Sequence, residues 1–415
     1  MSQAAVIQTT EAGVNRTFIL TVCLIVNLML GIVYAFSIFI IPLETSFGWA
    51  RHETALTFSF VLVFFSFGLL TGGNVMAKFG PGRTVAIGGV FAAVGSFIAS
   101  FTVNKYMLYV SYGLLTGYGL GLASLVPTAV LMRWFPDKKG LATGLAAMFL
   151  AFGTFIMGSK VAGWLVSVYG WTVTFKIFAA IFIVIVSGLG LLLKFPPAGF
   201  APAGWTPPPG QTEIWGYSRP STLKTTACWL LFAWLICIQM GGLMVIGHVV
   251  PFAAEQGVSM ENAAMAMGIY AIANGIGRLF FGWSHDRFGL KPAMFVNSLF
   301  MACGLAGMIY LFKSFGFPGL IVAICLVGMS YGGTVPLTAL LVNSFFGPKF
   351  FAKNFGMSTV PGVMIGGLIG PVIGGYIKTV TGSYTIAILS AAVLAAIGTV
   401  VSTLLKAPPP RTDEA

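Results

Sequence analysis

Charged side chains are scarce in this sequence. Asp, Glu, Lys and Arg together make up 8% of the 415 residues, and hydrophobic residues make up 57%. A soluble domain usually carries about 25% charged residues. Because so few charges cannot cover a water-exposed surface, the composition excludes a soluble globular protein and predicts a polytopic membrane protein.

Acidic residues are the scarcest charged class, with ten Asp and Glu against 22 Lys and Arg. Every Asp and Glu falls in a predicted loop, in a tail or at the end of an apolar run. The five cysteines all lie inside apolar runs, which excludes a disulfide framework and a metal cluster. No nucleophile–base or metal-ligand constellation is present, so we expect no enzyme, no cofactor and no bound metal.

Twelve apolar runs are long enough to cross a bilayer, for which a helix needs about 20 residues. They must be helices, because a single strand in lipid would leave its backbone groups unpaired. The predicted spans are residues 17–41, 52–76, 85–103, 106–132, 141–167, 170–193, 225–254, 259–283, 292–313, 317–344, 354–379 and 382–405.

A proline-rich segment, residues 194–224, divides the twelve spans into two sets of six. It contains PPAGFAPAGWTPPPG, a composition that neither packs a core nor continues a helix, so we expect an exposed linker. The predicted six-helix bundles are residues 17–193 and 225–405, with tails at residues 1–16 and 406–415.

The two halves contain a repeated motif. The segment GNVMAKFG at residues 73–80 matches GWSHDRFG at residues 282–289, with an offset of 209 residues. The segment RWFPDK at 133–138 has a weaker copy, SFFGPK, at 344–349. Such a duplication in a membrane chain indicates two pseudosymmetric bundles with a site between them.

Basic residues predict the orientation. If the N-terminus is cytoplasmic, 15 of the 22 Lys and Arg fall in cytoplasmic segments. The net charge of +12 is therefore mainly a topology signal and does not indicate nucleic-acid binding. We expect a multi-pass protein of the cell membrane with both termini in the cytoplasm.

Three stretches resemble a known family. The turn GWSHDRFG, with its G-x-x-x-D-R-x-G pattern, resembles the loop signature of the major facilitator superfamily. The segment RWFPDKKGLATG at 133–144 is similar to the start of the fifth span in the monocarboxylate transporter family and the related bacterial oxalate–formate exchanger. The segment NGIGR, from Asn274 to Arg278, is similar to a family segment with an acidic residue and an arginine one turn apart.

This resemblance covers nearly the whole chain. It implies an all-α membrane protein of the major facilitator superfamily, with twelve transmembrane helices in two pseudosymmetric six-helix bundles. It also implies a secondary transporter of small monocarboxylates, L-lactate first and pyruvate next, that works by alternating access and is coupled to protons. The expected partners are the monocarboxylate anion, a proton and membrane lipid, and we expect a monomer.

Departures from the family pattern bear on the substrate. Asn274 replaces the family's aspartate, Ala77 replaces the acidic residue of the first motif copy, and Gly362 aligns with a lysine of the oxalate exchanger. One buried cation suits one carboxylate and two suit a dianion, which favours a monocarboxylate over oxalate. An organic-anion exchanger of the oxalate–formate type stays open as an alternative, and a non-transporting solute sensor as a remote one.

Arg278 is the principal candidate for binding the substrate. A guanidinium does not lose its charge, has five N–H donors and is costly inside an apolar span. It could pair with a carboxylate in two hydrogen bonds, or it could snorkel to the headgroups. Asn274 lies on the same helix face and could bond the substrate hydroxyl, the guanidinium or a neighbouring helix.

Other polar side chains within the spans are weaker candidates. His248 could carry a coupling proton or donate to the substrate, and it could equally pack against a carbonyl. Tyr34, Tyr118 and Tyr331 lie in the middle of spans that line the central cavity in this fold, and each offers a hydroxyl or serves as packing.

The remaining candidates rest on the resemblance. Fold analogy places Leu28 and Leu145 at depths suited to a substrate methyl group. In the family, the motif turn clamps the two halves on the cytoplasmic side, which implies a conformational gate formed by Asp286, Arg287, Gly282 and Gly289.

Overall fold

The computed structural model describes residues 15–34, 36–49, 51–197, 200–202 and 215–410, and all regular structure in these residues is helical. The N-terminal half folds into α1 (Arg16–Leu30), α2 (Ser37–Phe47), α3 (Arg51–Phe79), α4 (Pro81–Ala99), α5 (Lys105–Leu108), α6 (Gly117–Trp134), α7 (Lys139–Gly153), α8 (Gly163–Ile181) and α9 (Gly188–Gly190). The C-terminal half folds into α10 (Arg219–Leu223), α11 (Thr226–Glu255), α12 (Met260–Phe288), α13 (Leu290–Phe315), α14 (Phe317–Phe346), α15 (Phe351–Pro361), α16 (Gly367–Thr381) and α17 (Thr385–Leu404).

Each predicted span coincides with one helix or with helices joined by short 3-10 or π turns. In the described residues, nine helices are long and apolar enough to cross a membrane. The other three predicted spans are the fifth and the eleventh, each divided by a π turn, and the eighth, α12, which carries charged residues. These three meet the opposite half, with α7 packed on α12 and α15 on α3.

One end of the bundle carries the linker, and we call this end the linker face. Arg16 pairs with Asp137 there at 2.6 Å, and the Trp134 indole donates to the Lys194 carbonyl at 2.7 Å. At the opposite face, Lys378 pairs with Glu255 at 2.6 Å. The ion pairs of these described residues therefore lie at helix ends, where charged groups reach water or headgroups.

Part of the linker packs against the bundle, whereas the sequence predicts an exposed segment: Gly216, Tyr217 and Thr222 are buried, and Leu223 and Lys224 are exposed. The Tyr217 hydroxyl donates to the Pro409 carbonyl at 2.6 Å, and Asn354 donates to the Tyr217 carbonyl at 2.8 Å. Arg219, in the short helix α10, donates to the carbonyls of Lys353 and Leu70 and so joins the two halves. The PPPG sequence lies outside the described residues.

The two halves contact each other at the linker face through glycines of the repeated motif. A Cβ on Gly282 would overlap the backbone of Gly140 in α7, and a Cβ on Gly73 would overlap that of Ala352 and Lys353 in α15. Gly73 and Gly282 are separated by the 209-residue offset of the repeat. Both motif copies therefore place a glycine against the start of a helix in the other half, and this face is closed.

Candidate functional site

Arg278 lies in the interior of the molecule. Its side chain, on α12, is 5% exposed. The guanidinium donates to Asn274 Oδ1 at 3.0 Å and to the Ala147 carbonyl of α7 at 2.8 Å. This burial is inconsistent with a side chain that snorkels to the headgroups. The hydrogen bond to Ala147 crosses the boundary between the two halves.

A cavity of about 90 Å³ lies beside Arg278. Pockets for drug-sized ligands usually enclose about 300–1,000 Å³, so this cavity suits a much smaller molecule. Its described lining comes from both halves and combines polar and apolar side chains: Asn27, Phe65, Leu69, Ser124, Thr128, Ala147, Leu150, Leu235, Gln239, Arg278, Tyr331, Val335, Thr338, Phe355, Thr359 and Val363.

Asn274 orients the guanidinium. Its side chain is buried one turn before Arg278, and its amide oxygen accepts from Arg278 Nε. An amide oxygen holds the guanidinium in place without neutralising its charge, whereas the family's aspartate would neutralise it. The structure thus brings Asn274 to the guanidinium, one of the partners expected from the sequence.

The α7–α12 contact sets the position of Arg278. Gly144 of α7 lies against the Arg278 carbonyl, so the two backbones approach closely enough for the side chain to reach Ala147. From α1, Asn27 donates to the adjacent Ala146 carbonyl at 3.1 Å. Sequence reasoning missed Asn27, although a buried amide within a span is itself a signal of a polar contact.

Gln239 of α11 is a second missed residue. It lines the cavity and is 6% exposed. A Cβ on Gly362 would lie 3.1 Å from Gln239 Nε2. The amide therefore fills the space beside Gly362, and this part of the lining supplies a neutral polar group.

The three tyrosines have different surroundings. Tyr331 lines the cavity with Arg278, and its ring centroid lies 6.4 Å from that of Tyr270. Tyr118 is directed elsewhere, because its hydroxyl lies 3.0 Å from Thr71 Oγ1 and its ring packs edge-to-face on exposed Phe91. The side chain of Tyr34 lies outside the described part of the chain.

The structure does not bring His248 to the cavity. Its ring centroid lies 5.1 Å from that of Tyr384, and the ring packs close to Gly374. It follows Gln239 by nine residues on α11, which corresponds to about 14 Å along the helix. His248 therefore does not contact a molecule bound beside Arg278.

Leu28 and Leu145 are also absent from the described lining of the cavity. The backbone of Leu28 packs against Gly153. The apolar lining near Arg278 includes Leu69 and Leu150. Leu150 is five residues beyond Leu145 on the same helix and lines the cavity, whereas Leu145 is outside the described lining.

The motif turn forms a contact between the halves. Asp286 accepts from the backbone N–H groups of Gly140 and Leu141 at 2.9 and 2.8 Å, and its Oδ1 lies 3.1 Å from His285 Nδ1. Burial alone would raise the pKa of Asp286, but the hydrogen bonds from His285 and the two N–H groups outweigh burial and lower it. Asp286 therefore stays ionised at neutral pH at the start of α7, where a negative charge is favourable.

Arg287 and Gly289 complete the predicted gate. Arg287 is exposed. Gly289 has a φ of +86°, a left-handed conformation that favours glycine and turns the chain from α12 into α13.

Comparison with known families gives a match over most of the chain. The sequence model of the Major Facilitator Superfamily matches residues 21–360. Among individual proteins, the chain is 27% identical over 353 residues to the uncharacterized MFS-type transporter YhjX of Escherichia coli, with 84% of this chain and 85% of that protein covered.

Two further relatives have named substrates. The chain is 24% identical over 347 residues to the oxalate:formate antiporter of Oxalobacter formigenes, covering 82% of this chain and 80% of that protein. It is 27% identical over 345 residues to monocarboxylate transporter 13 of Bos taurus, covering 83% and 78%. The crystal structure of the transporter FucP in the outward conformation superposes with a TM-score of 0.70 at 16% identity, covering 93% of this chain and 98% of that one.

Proposed function

Because this chain belongs to the major facilitator superfamily, a family of transporters and not of enzymes, we propose that it carries small monocarboxylates, with L-lactate and pyruvate as first candidates. The observation that carries this proposal is the buried guanidinium of Arg278 beside a cavity of about 90 Å³ between the halves. The monocarboxylate transporter among its relatives supports the same substrate class.

The carboxylate pairs with Arg278. Burying an ion such as this cation costs roughly several kcal/mol, and a well-placed anion offsets that cost. Asn274 and the Ala147 carbonyl fix the guanidinium but carry no formal charge. A bound monoanion offsets the positive charge of the guanidinium.

The rest of a lactate or pyruvate molecule matches the remaining lining. The Tyr331 hydroxyl and the Gln239 amide can hydrogen-bond a 2-hydroxyl or 2-keto oxygen. Leu69 and Leu150 offer apolar surface to the methyl group. In this arrangement Asn274 acts through Arg278 and does not itself hold the hydroxyl.

We propose alternating access in which the closed linker face opens. The Asp286 contact to α7 and the two glycine contacts must separate for the cavity to open toward the linker. Gly282 and Asp286 make contacts with α7, and Arg287 and Gly289 lie in the same turn. We propose that these four residues form the gate and that the linker face is cytoplasmic. Two six-helix halves, at residues 17–193 and 225–405, are the moving units of a monomeric carrier.

Proton coupling completes the proposal. Asn274 cannot carry a proton as the family's aspartate can, and His248 is the titratable candidate that remains. We propose that His248, which packs on Tyr384 toward the opposite end of α11, carries the coupling proton without contacting the substrate.

Uptake into proteoliposomes tests the function. We expect saturable uptake of L-lactate and pyruvate that increases with an inward proton gradient, and little competition by oxalate. Protein-free liposomes provide the control. Strong competition by oxalate, with uptake stimulated by preloaded anion and unaffected by the proton gradient, would instead support the exchanger.

The charge of the cavity should set the preference between monoanions and dianions. A Gly362→Lys change, made together with Gln239→Ala to provide space, should shift the ratio of oxalate to lactate uptake by about tenfold, because a charged hydrogen bond contributes about 1.5–3 kcal/mol. The matched control is Gly362→Met with Gln239→Ala, which adds length without charge. An equal shift in the control would show that cavity shape, and not charge, determines the preference.

A further inference from the structure

A second cavity lies at the linker face, away from Arg278. It encloses about 390 Å³ and is lined by α3, the end of α6 and the start of α15. We call it the basic pocket and define it by Ala77, Arg133, Phe195, Lys349, Phe350 and Lys353. The transport mechanism proposed above does not use it.

The pocket is strongly positive. Its described lining contains three cationic side chains and no Asp or Glu. The Arg133 guanidinium lies 4.0 Å from the Phe195 ring centroid, and the ammonium groups of Lys349 and Lys353 lie 5.3 and 5.7 Å from that of Phe350. These aromatic contacts hold the three cations around one cavity.

The repeat shows what is missing from this pocket. Ala77 is the counterpart of Asp286 at the 209-residue offset. In the second copy, Gly282 packs on Gly140 and Asp286 binds the start of α7. In the first copy, Gly73 packs on the start of α15 in the same way, but the position of the acid is occupied by the methyl group of Ala77, which faces the pocket.

We propose that the basic pocket binds a phosphate group, which takes the place of the missing carboxylate and holds the linker face closed. The oxygens of a phosphate group accept charge-assisted hydrogen bonds from Lys and Arg side chains. The cavity is larger than a phosphate ion alone and has aromatic walls, so it also admits the group to which a phosphate is attached. The phosphate comes from an anionic lipid headgroup or from solution.

Binding here is linked to conformation. Arg133 and Phe195 belong to the N-terminal half, whereas Lys349 and Lys353 belong to the C-terminal half. The pocket is therefore complete only when the linker face is closed, and a ligand that binds one state better shifts the population toward it. The phosphate acts as a removable counterpart of Asp286.

The test uses the full-length protein and does not depend on transport. Spin labels at Lys138→Cys and Lys291→Cys, in a cysteine-free background, report the separation of the halves. The protein is studied in zwitterionic detergent with inorganic phosphate, and in phosphatidylcholine nanodiscs with or without phosphatidylglycerol. We expect phosphate or phosphatidylglycerol to shorten the label distance and to raise the thermal midpoint, and the arm that responds identifies the source.

Two variants define the site. Lys349→Gln with Lys353→Gln should weaken the response about 25-fold, at about fivefold for each lysine. Ala77→Asp supplies a permanent carboxylate, so it should close the linker face without phosphate. Its response to added phosphate or phosphatidylglycerol should therefore be at least about tenfold weaker, which corresponds to about 1.4 kcal/mol. Lys313→Gln with Lys406→Gln removes the same charge outside the pocket and should respond like the wild type.

Two outcomes would contradict phosphate binding in the basic pocket. Absence of any response to both inorganic phosphate and phosphatidylglycerol would exclude the site. An unchanged response in the Lys349 and Lys353 double variant would place any binding elsewhere. The double variant keeps the proposal falsifiable even where Ala77→Asp does not fold, and lactate uptake is not needed for either readout.

Discussion

Replacement of Arg278 by Ala is expected to reduce lactate uptake per folded carrier by at least about 30-fold. The estimate follows from the cost of removing one partner of a buried charge pair, about 2–5 kcal/mol. The variant loses the positive charge that faces the cavity, so the carboxylate would be buried without a counter-charge. Initial uptake rates in proteoliposomes, normalised to reconstituted protein, provide the measurement.

Two comparisons separate binding from folding. Arg278→Lys keeps the charge but loses the planar fork that reaches Asn274 and Ala147 together, so it should retain more uptake than Arg278→Ala and less than the wild type. Arg83→Ala removes an exposed arginine of α4 and should leave uptake unchanged. Thermal midpoints of all variants show whether the protein remains folded. Full lactate uptake by a folded Arg278→Ala protein would refute the site.

The helices could be predicted from the sequence because lipid leaves few alternatives. An apolar run of sufficient length has to be helical, so the existence of the spans follows from composition. Boundaries depend on local chemistry. The third span begins at Pro81 and not at residue 85, because proline suits the first turn of a helix. The sixth begins after Gly170, whose φ of +77° interrupts the helix.

The candidate site was predictable where a residue type was unusual. Arg278 is a cation within an apolar span, and Asp286 belongs to a repeated motif, so both could be found without coordinates. Asn27 and Gln239 are neutral amides that belong to no motif, and their importance follows only from what they contact: the Ala146 carbonyl and the space beside Gly362.

Helix rotation explains why other side chains were misplaced. A helix that is apolar on all sides gives no periodic signal of which face is inside. The π turn at Tyr109–Thr116 also precedes Tyr118 by two residues. Such a turn inserts an extra residue and rotates everything that follows. Tyr118 consequently faces Thr71 and Phe91, whereas Tyr331 on uninterrupted α14 faces the cavity.

Replacement of Gly282 by Leu is expected to prevent closure of the linker face. A side chain at this position would overlap the Gly140 backbone, so α7 and α12 would have to separate. Separation would also remove the hydrogen bonds that Asp286 accepts from Gly140 and Leu141. Overpacking costs about 1–3 kcal/mol, and the lost hydrogen bonds add to it, so the closed state should be depopulated at least fiftyfold by an estimate of roughly 2.3 kcal/mol.

Because alternating access requires both states, this change should strongly reduce transport, and separation of α7 from α12 would also weaken the contact of Arg278 with Ala147. We expect lactate uptake to fall at least tenfold, an estimate of about 1.4 kcal/mol, and the labels at positions 138 and 291 to move apart. Gly268→Leu is the matched control: it lies on the same helix, α12, and an added Cβ there meets no atom within 4 Å. Both variants add the same side chain to the same helix, so only the contact with α7 distinguishes them. Equal uptake by the two proteins would mean that closure at Gly282 is not part of the transport cycle.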